Sequence, residues 1–321
     1  MVRIAVDLNG GESAPEEIFE AVLAISQEVS AGDSLLAIAQ HSVLPSLRAA
    51  FPQSVSSIEF ITTEEAIDME EHPLYAVRRK KDSSMAAGMR LLREKQIDAF
   101  VSSGNTGALV AFAKLNLPML PQVERPALLV MMPTEKGKVT VLDVGANIAP
   151  KPQHLVSYAL LGSLYRQCML GEKNPKVGLL NIGVEEQKGT QELKETYKLL
   201  QNLFGGRFLG NIEGMEVFQG KIDVLVTDGF TGNVFLKTSE GISSFLAEYL
   251  KKQFGLPETV SHLRQQFNYS EHPGAFLCGV DGIVVKCHGF SDKYALMNGI
   301  RGAFNLAKKG IISRLKEKLS V

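Results

Sequence analysis

The residues best suited to chemistry sit in four loops rich in Gly, Asn, Asp and Lys, each following an apolar run and opening a helix. They read VSSGNTGALVAFA (Val101 to Ala113), VLDVGANIAPKPQHLV (Val141 to Val156), LLNIGVEEQKGTQELKE (Leu179 to Glu195) and VLVTDGFTGNVFLKTSEG (Val224 to Gly241). Within them lie Asn105 and Thr106, Asn147, Lys188 and Asn233. Ligands of an open α/β sheet bind beyond the carboxyl ends of its strands. Small-residue loops at that place let backbone N–H groups and helix N-termini face an anion. No nucleophile–His pair accompanies them, so the pattern describes a site that holds a ligand rather than one that attacks it.

The elements that must position these loops follow from periodicity. IAVDL (Ile4 to Leu8), LLAIA (Leu35 to Ala39), IEFIT (Ile58 to Thr62), IDAFVSS (Ile97 to Ser103), PALLVMMPT, KVTVLDV, KVGLLNI, RFLGNI, IDVLVTD and GIVVKCHG (Gly282 to Gly289) have the length and apolar character of buried strands. Helical spacing predicts helices from Ser13, at Leu44 to Ala50, Asp82 to Glu94, Thr106 to Leu115, Leu155 to Met169 and Gln191 to Asn202. A long helix runs from about Gly232 to Phe254, and another starts at Asp292. Ser13 and Glu16 have the spacing of a capping box. Such alternation gives a mainly parallel sheet with helices on both faces. The chain is expected to form a single α/β domain over 1–321. If it has two lobes, the cleft lies between an N-terminal part and the later loops, and no compositional shift fixes the boundary.

Length and composition narrow the class. The chain has 321 residues, enough for a full core, with 34 basic and 35 acidic residues. That balance gives no global field to recruit nucleic acid. No apolar stretch reaches the roughly 18 to 20 residues of a membrane span. MVRIAVDLNGG lacks the pattern of a signal peptide, so a cytoplasmic location is expected. Cys168, Cys278 and Cys287 are unclustered, which argues against a zinc site or disulfide framework and for core packing. Neither a Walker motif nor a dinucleotide fingerprint is evident, and no cofactor or metal is expected.

Two further segments stand out. Arg78-Arg79-Lys80-Lys81-Asp82-Ser83-Ser84-Met85 places four cations before a helix capped by Asp82 or Ser83. It is either a solvated charge run or a contact for an acidic or phosphate-bearing partner. Ile242 to Phe267 reads as a helical hairpin broken at Gly-Leu-Pro, with interleaved basic residues. Core or dimer packing competes there with a membrane-surface patch.

Laid end to end, the motifs resemble the phosphate acyltransferase family of bacterial phospholipid synthesis. The resemblance runs through IAVD–GG–AP, RRKKDSSM, SxGNTGAL, RPAL, LDVGAN–KP–HLV, GLLNIG–E–KG, GN–EG, DGFTGNVxLKTxEG and GxxxVxKxHG, covering nearly the whole chain in order. The chain departs at Asp7-Leu8-Asn9-Gly10-Gly11-Glu12, where the family has Asp-Ala-Met-Gly-Gly-Asp, at Val184, and in a shorter hairpin. The resemblance implies a Rossmann-like fold of isocitrate/isopropylmalate dehydrogenase-like or phosphotransacetylase-like architecture. It also implies acyl transfer from acyl-[acyl-carrier-protein] to inorganic phosphate, a homodimer, and a downstream glycerol-3-phosphate acyltransferase at the membrane. Peripheral membrane association would follow.

On that reading phosphate is itself the nucleophile, which agrees with the absence of a nucleophile elbow. Lys188 then serves phosphate or the oxyanion as a point charge. Asn233 donates to phosphate or the carbonyl oxygen, with a helix N-cap as its alternative. Asn105, Thr106 and Asn147 bind phosphate or cap helices, and Lys286 and His288 join the site from the last strand end. Lys237 and Glu240 pair within a helix. Arg78, Arg79, Lys80 and Lys81 become the docking patch for the acidic carrier protein. The acyl chain needs an apolar channel, expected near the long helix from Gly232. The competing functions are an acyl-CoA-using phosphotransacetylase-like enzyme, an NAD-using dehydrogenase, and a non-catalytic scaffold for lipid-synthesis enzymes at the membrane.

Overall fold

A computed structural model describes residues 1–255, 274–289 and 292–320. The chain divides into two compact units, Met1–Met119 with His272–Ile312, and Leu120–Glu271 with Ser313–Val321.

In the first unit the apolar runs become β1 (Arg3–Asp7), β2 (Ser34–Gln40), β3 (Glu59–Thr63), β4 (Ala99–Ser102), β10 (Ala275–Cys278) and β11 (Ile283–Lys286). They lie in the order β3-β2-β1-β4-β11-β10. The first five are parallel, with Ile4 in register with Leu35 on one side and Ala99 on the other. β10 turns back antiparallel on β11. Its four residues were not evident as a strand in the sequence. The helices are α1 (Pro15–Ser26), α2 (Leu44–Ala50), α3 (Pro73–Arg79), α4 (Ser84–Arg93), α5 (Thr106–Asn116) and α9 (Lys293–Lys308). α1 packs on α9, while α4 crosses β4 where Gly88 meets the Phe100 ring.

Local capping departs from expectation at one helix and decides an alternative at another. The Ser13–Glu16 capping box does not form. The N-cap of α1 is Ala14, with no side-chain cap bond, and Glu16 bonds the Ser46 side chain instead. At α4 the cap is Ser83, whose hydroxyl accepts from the Ala86 N–H. Arg78 and Arg79 form the last turn of α3.

In the second unit β5 (Ala127–Thr134) and β6 (Gly137–Leu142) form an antiparallel hairpin. β7 (Val177–Leu180), β8 (Phe208–Ile212) and β9 (Val224–Val226) continue parallel to β6, in the order β5-β6-β9-β7-β8. α6 (Pro152–Leu170) lies against β6 and β9, so closely that a Cβ on Gly162 would stand 2.7 Å from Leu142 and Val224 methyls. α7 (Gln191–Phe204) packs on α6. α10 (Ile311–Leu319), also missed in the sequence, reaches this unit through Arg314, which donates to the Cys168 carbonyl.

The long helix, α8 (Gly229–Phe254), begins one turn earlier than its apolar spacing predicts, because Asp228 caps it. The Asp228 carboxylate accepts from the Thr231 N–H at 2.8 Å and from the Thr231 hydroxyl at 2.7 Å. The first arm of the expected 242–267 hairpin is the C-terminal part of α8, and residues 256–267 lie outside the described ones. All three cysteines are buried, and none is in a disulfide. Among the described residues, no helix is long and apolar enough to cross a membrane.

Candidate functional site

Asp143 organises the loop after β6. It is fully buried, and its two carboxylate oxygens accept five hydrogen bonds. Oδ1 takes the N–H groups of Leu128, Gly145 and Ala146, and Oδ2 takes the N–H and side-chain amide of Asn147. Burial pushes the Asp143 carboxyl up, and these bonds to Ala146, Asn147 and Leu128 pull the other way. The same burial, with the Asp143 charge nearby, holds the Tyr158 phenol well above its usual range.

Two predicted site residues meet on this loop. Asn147 donates its side-chain N–H groups to the Pro126 carbonyl at 2.7 Å and to Asp143, and its own carbonyl accepts from Gly229 N–H. Asn147 therefore fastens the loop on one side to the start of β5 and on the other to the start of α8. Asn233, one turn into α8, donates Nδ2 to the Val144 carbonyl. It is not the helix cap. Gly145 between them has φ 141°, and a Cβ there would lie 3.1 Å from Asn233 Nδ2, so glycine is required on both counts.

Lys188 lies exposed in the loop after β7, its stem folded over Gly183. The loop is held from beneath by two asparagines. Asn181 accepts from Ile182 N–H and donates to the Lys188 carbonyl at 3.1 Å, while Asn211 donates to the Glu185 carbonyl at 2.8 Å. Neither asparagine was singled out from the sequence, although each stands at a strand end.

A cavity of about 1060 Å³ opens within this unit, beginning at Asn181, Gly189 and Thr190, one residue from Lys188. The N-caps of three helices touch it: Lys151 of α6, Thr190 of α7 and Asp228 of α8. Lys151 N–H donates to His154 Nδ1, which leaves His154 Nε2 as the donor to Glu124 at 3.0 Å. Three helix N-termini thus border one space, that of α8 carrying the Asp228 carboxylate.

The first unit holds a second polar cluster. Asp7 ends β1 and accepts from Ser102 Oγ at 2.7 Å and Asn9 N–H at 3.0 Å. Burial raises its carboxyl above the usual range, opposed by bonds from Ser84 and Ser102 and by the Lys286 charge. Lys286 is buried, donating to the carbonyls of Ser103 and Cys287. His288 follows two residues on, part-exposed. Asn105 caps α5 by accepting from Ala108 N–H, and its amide donates to the carbonyls of Met69 and Glu71. Thr106 is the first residue of that helix. Of the four cations, Lys80 is engaged with Glu71 at 2.6 Å and the Ala66 carbonyl, whereas Arg78, Arg79 and Lys81 are exposed. Among the described residues, no three His, Cys, Asp or Glu side chains gather as a metal would need.

The architecture is that of the phosphotransacetylases. A phosphotransacetylase from Streptococcus pyogenes superposes with a TM-score of 0.64 at 15% identity, covering 96% of this chain and 94% of that one. A branched-chain phosphotransacylase from Enterococcus faecalis gives 0.59 at 13%, covering 96% and 99%. The chain belongs to the fatty acid synthesis protein family, whose model matches residues 2–314. It is 41% identical to the phosphate acyltransferase of Chlamydia pneumoniae over 323 residues, 99% of each chain. It is 42% identical to that of Chlamydia trachomatis serovar L2 over 325 residues, 99% of this chain and 98% of the relative. It is an acyltransferase.

Proposed function

We propose that the enzyme moves a fatty acyl group from acyl carrier protein to inorganic phosphate, supplying acyl phosphate for phospholipid synthesis. The observation that carries this reading is the convergence of three helix N-termini on one cavity beside Lys188. Family membership supports the phosphate acceptor.

In the reaction a phosphate oxygen attacks the thioester carbonyl carbon. The C–O bond forms, the C–S bond breaks, and the carrier thiolate leaves and takes up the proton that phosphate loses. Phosphate must approach within roughly 3 to 3.5 Å, against the repulsion of its own charge and that of the acidic carrier. Helix N-termini and the Lys188 ammonium offset that charge. Asn233, fixed by Val144, supplies an amide donor that needs no reorganisation as the oxyanion develops. Asn147, Asn105 and Lys286 act by holding loops, since each donates to backbone carbonyls. Arg78, Arg79 and Lys81 form the docking patch for the carrier protein, beside the exposed Leu74 and Tyr75 of α3. A homodimer and delivery of product to a glycerol-3-phosphate acyltransferase at the membrane complete the reading.

The test follows acyl phosphate formation from palmitoyl-acyl carrier protein and phosphate in the native protein, Lys188→Ala and Asn233→Ala. Native activity with about a hundredfold loss in a folded variant is expected, the scale of removing one transition-state donor. Activity with palmitoyl-CoA and none with the carrier thioester would replace the donor. No activity with either would leave the scaffold reading.

A further inference from the structure

The cavity beside Lys188 is larger and more apolar than a phosphate needs. Inorganic phosphate requires a few donors, while this space of about 1060 Å³ is at the upper end of small-molecule sites. Beyond the three helix caps and the polar Glu192 and Thr231, its walls include Ile148, Leu155, Leu180, Leu193, Phe230 and Val234. Four apolar side chains on it are solvent-exposed: Ile148 at 75%, Ile182 at 82%, Phe230 at 62% and Val234 at 51%. Scattered exposed hydrophobics mean little, but four around one concave space mark a surface that a ligand covers. Phe230, Val234 and Thr238 recur at four-residue spacing, so this wall follows one face of α8 for about 12 Å at 1.5 Å per residue.

The lining thus joins polar groups to an apolar wall. On the Asn181–Thr190 side are the N-cap of α7 and the Lys188 loop, and the α8 wall runs from its N-cap Asp228 past Phe230 and Val234 to Thr238. An occupant with a compact polar head and a long hydrocarbon tail matches both. We infer that this groove holds the fatty acyl chain of the thioester and of the acyl phosphate product, with the reacting carbonyl at the Asn181–Thr190 end and the tail along Phe230, Val234 and Thr238. The inference rests on the proposed acyl transfer and adds where the tail lies. It makes Val234, in mid-groove, a determinant of chain length.

Two measurements test it. The first compares butyryl, octanoyl and palmitoyl thioesters of acyl carrier protein as donors for the native protein and Val234→Trp. Each methylene buried in the groove should improve the native kcat/KM about fourfold until the groove is full. The indole should then cost palmitoyl transfer at least tenfold more than butyryl transfer. Parallel loss across all three chain lengths would overturn the assignment. The second needs no variant: palmitoyl-acyl carrier protein bearing a diazirine on the acyl tail is photolysed with the native protein, and the labelled peptides are sequenced. Label within 148–155 or 228–238 is expected. Label confined elsewhere, including to the face of a second copy, would move the chain from the groove. If acyl phosphate forms but label and chain-length profile both miss the groove, only this assignment falls. If label lands in the groove while no thioester yields acyl phosphate, the groove remains a fatty acyl site and the reaction falls.

Discussion

Asn233 Nδ2 donates to the Val144 carbonyl oxygen at 2.9 Å, tying the first turns of α8 to the loop that follows β6. The bond fixes the direction in which the rest of the amide can act. Asn233→Ala should cost about 1 kcal/mol in urea unfolding, the net worth of one such bond. It should also lower kcat for acyl phosphate formation about a hundredfold. Asn233→Asp should be less stable than the alanine variant, because a carboxylate would face the Val144 carbonyl oxygen. A stability loss with unchanged kcat would reduce Asn233 to a loop fastener.

Gly232, the neighbour of Asn233, is set by space rather than by dihedral angle. A Cβ there would collide with the Asp143 carbonyl oxygen and press on the Thr227 methyl at 2.7 Å. Backbone cannot yield as a flexible side chain can, so Gly232→Ala should lose about 1–3 kcal/mol or more. Activity should fall along with stability, since α8 must back away from the loop carrying Val144. A urea midpoint equal to that of the native protein would contradict this packing.

Asp143 contributes through geometry that no neutral isostere reproduces. Asp143→Asn keeps the shape but turns one oxygen, surrounded by backbone and side-chain N–H groups, into a donor. Each N–H left without an acceptor costs about 1–3 kcal/mol. The variant should lose about 2–5 kcal/mol by urea unfolding and show faster hydrogen exchange at Gly145, Ala146 and Asn147. Native-like protection of those three amides would contradict the role.

Asp143 also shows where sequence reading stops. The strand runs and the alternation with helices were legible because burial on both faces leaves uninterrupted apolar residues, as in AFVS of β4 and VGLL of β7. The site loops were legible as small residues at strand ends. The partners of Asp143 were not, because one of them, Leu128 N–H, comes from the adjacent strand, 15 residues away. Asn233 had two readings in sequence, donor or cap, and the structure gives the cap to Asp228, five residues earlier. The Ser13–Glu16 spacing was right for a capping box, yet Ser46, 30 residues further on, took Glu16. Local patterns name what a residue can bond, and tertiary neighbours decide what it does bond.

The basic run divides into a structural and an available part. Lys80 bonds Glu71 and the Ala66 carbonyl beneath α3, so its removal should destabilise the segment rather than a complex. Arg78→Glu with Arg79→Glu should raise KM for palmitoyl-acyl carrier protein about tenfold with little change in kcat, and flatten its salt dependence. KM and its salt slope, measured between low and physiological ionic strength, check this. An unaltered slope would remove the docking patch from α3.

Glu240 predicts a pH effect separable from catalysis. Burial raises its carboxyl above the ordinary 4.5, the Lys237 charge opposes the shift, and Oε1 lies buried without a hydrogen-bond partner among the described residues. The fold thus favours the neutral acid over the carboxylate. That contribution to stability is fully present below the unfolded value and is lost as pH rises through the higher folded one. Glu240→Gln keeps the neutral shape at every pH. Its stability relative to native should therefore improve as pH goes from about 4 to about 8, by less than about 1 kcal/mol because the group is partly solvated. Urea midpoints of both proteins at the two pH values measure it. A difference that does not change with pH would show that Glu240 titrates normally in the fold.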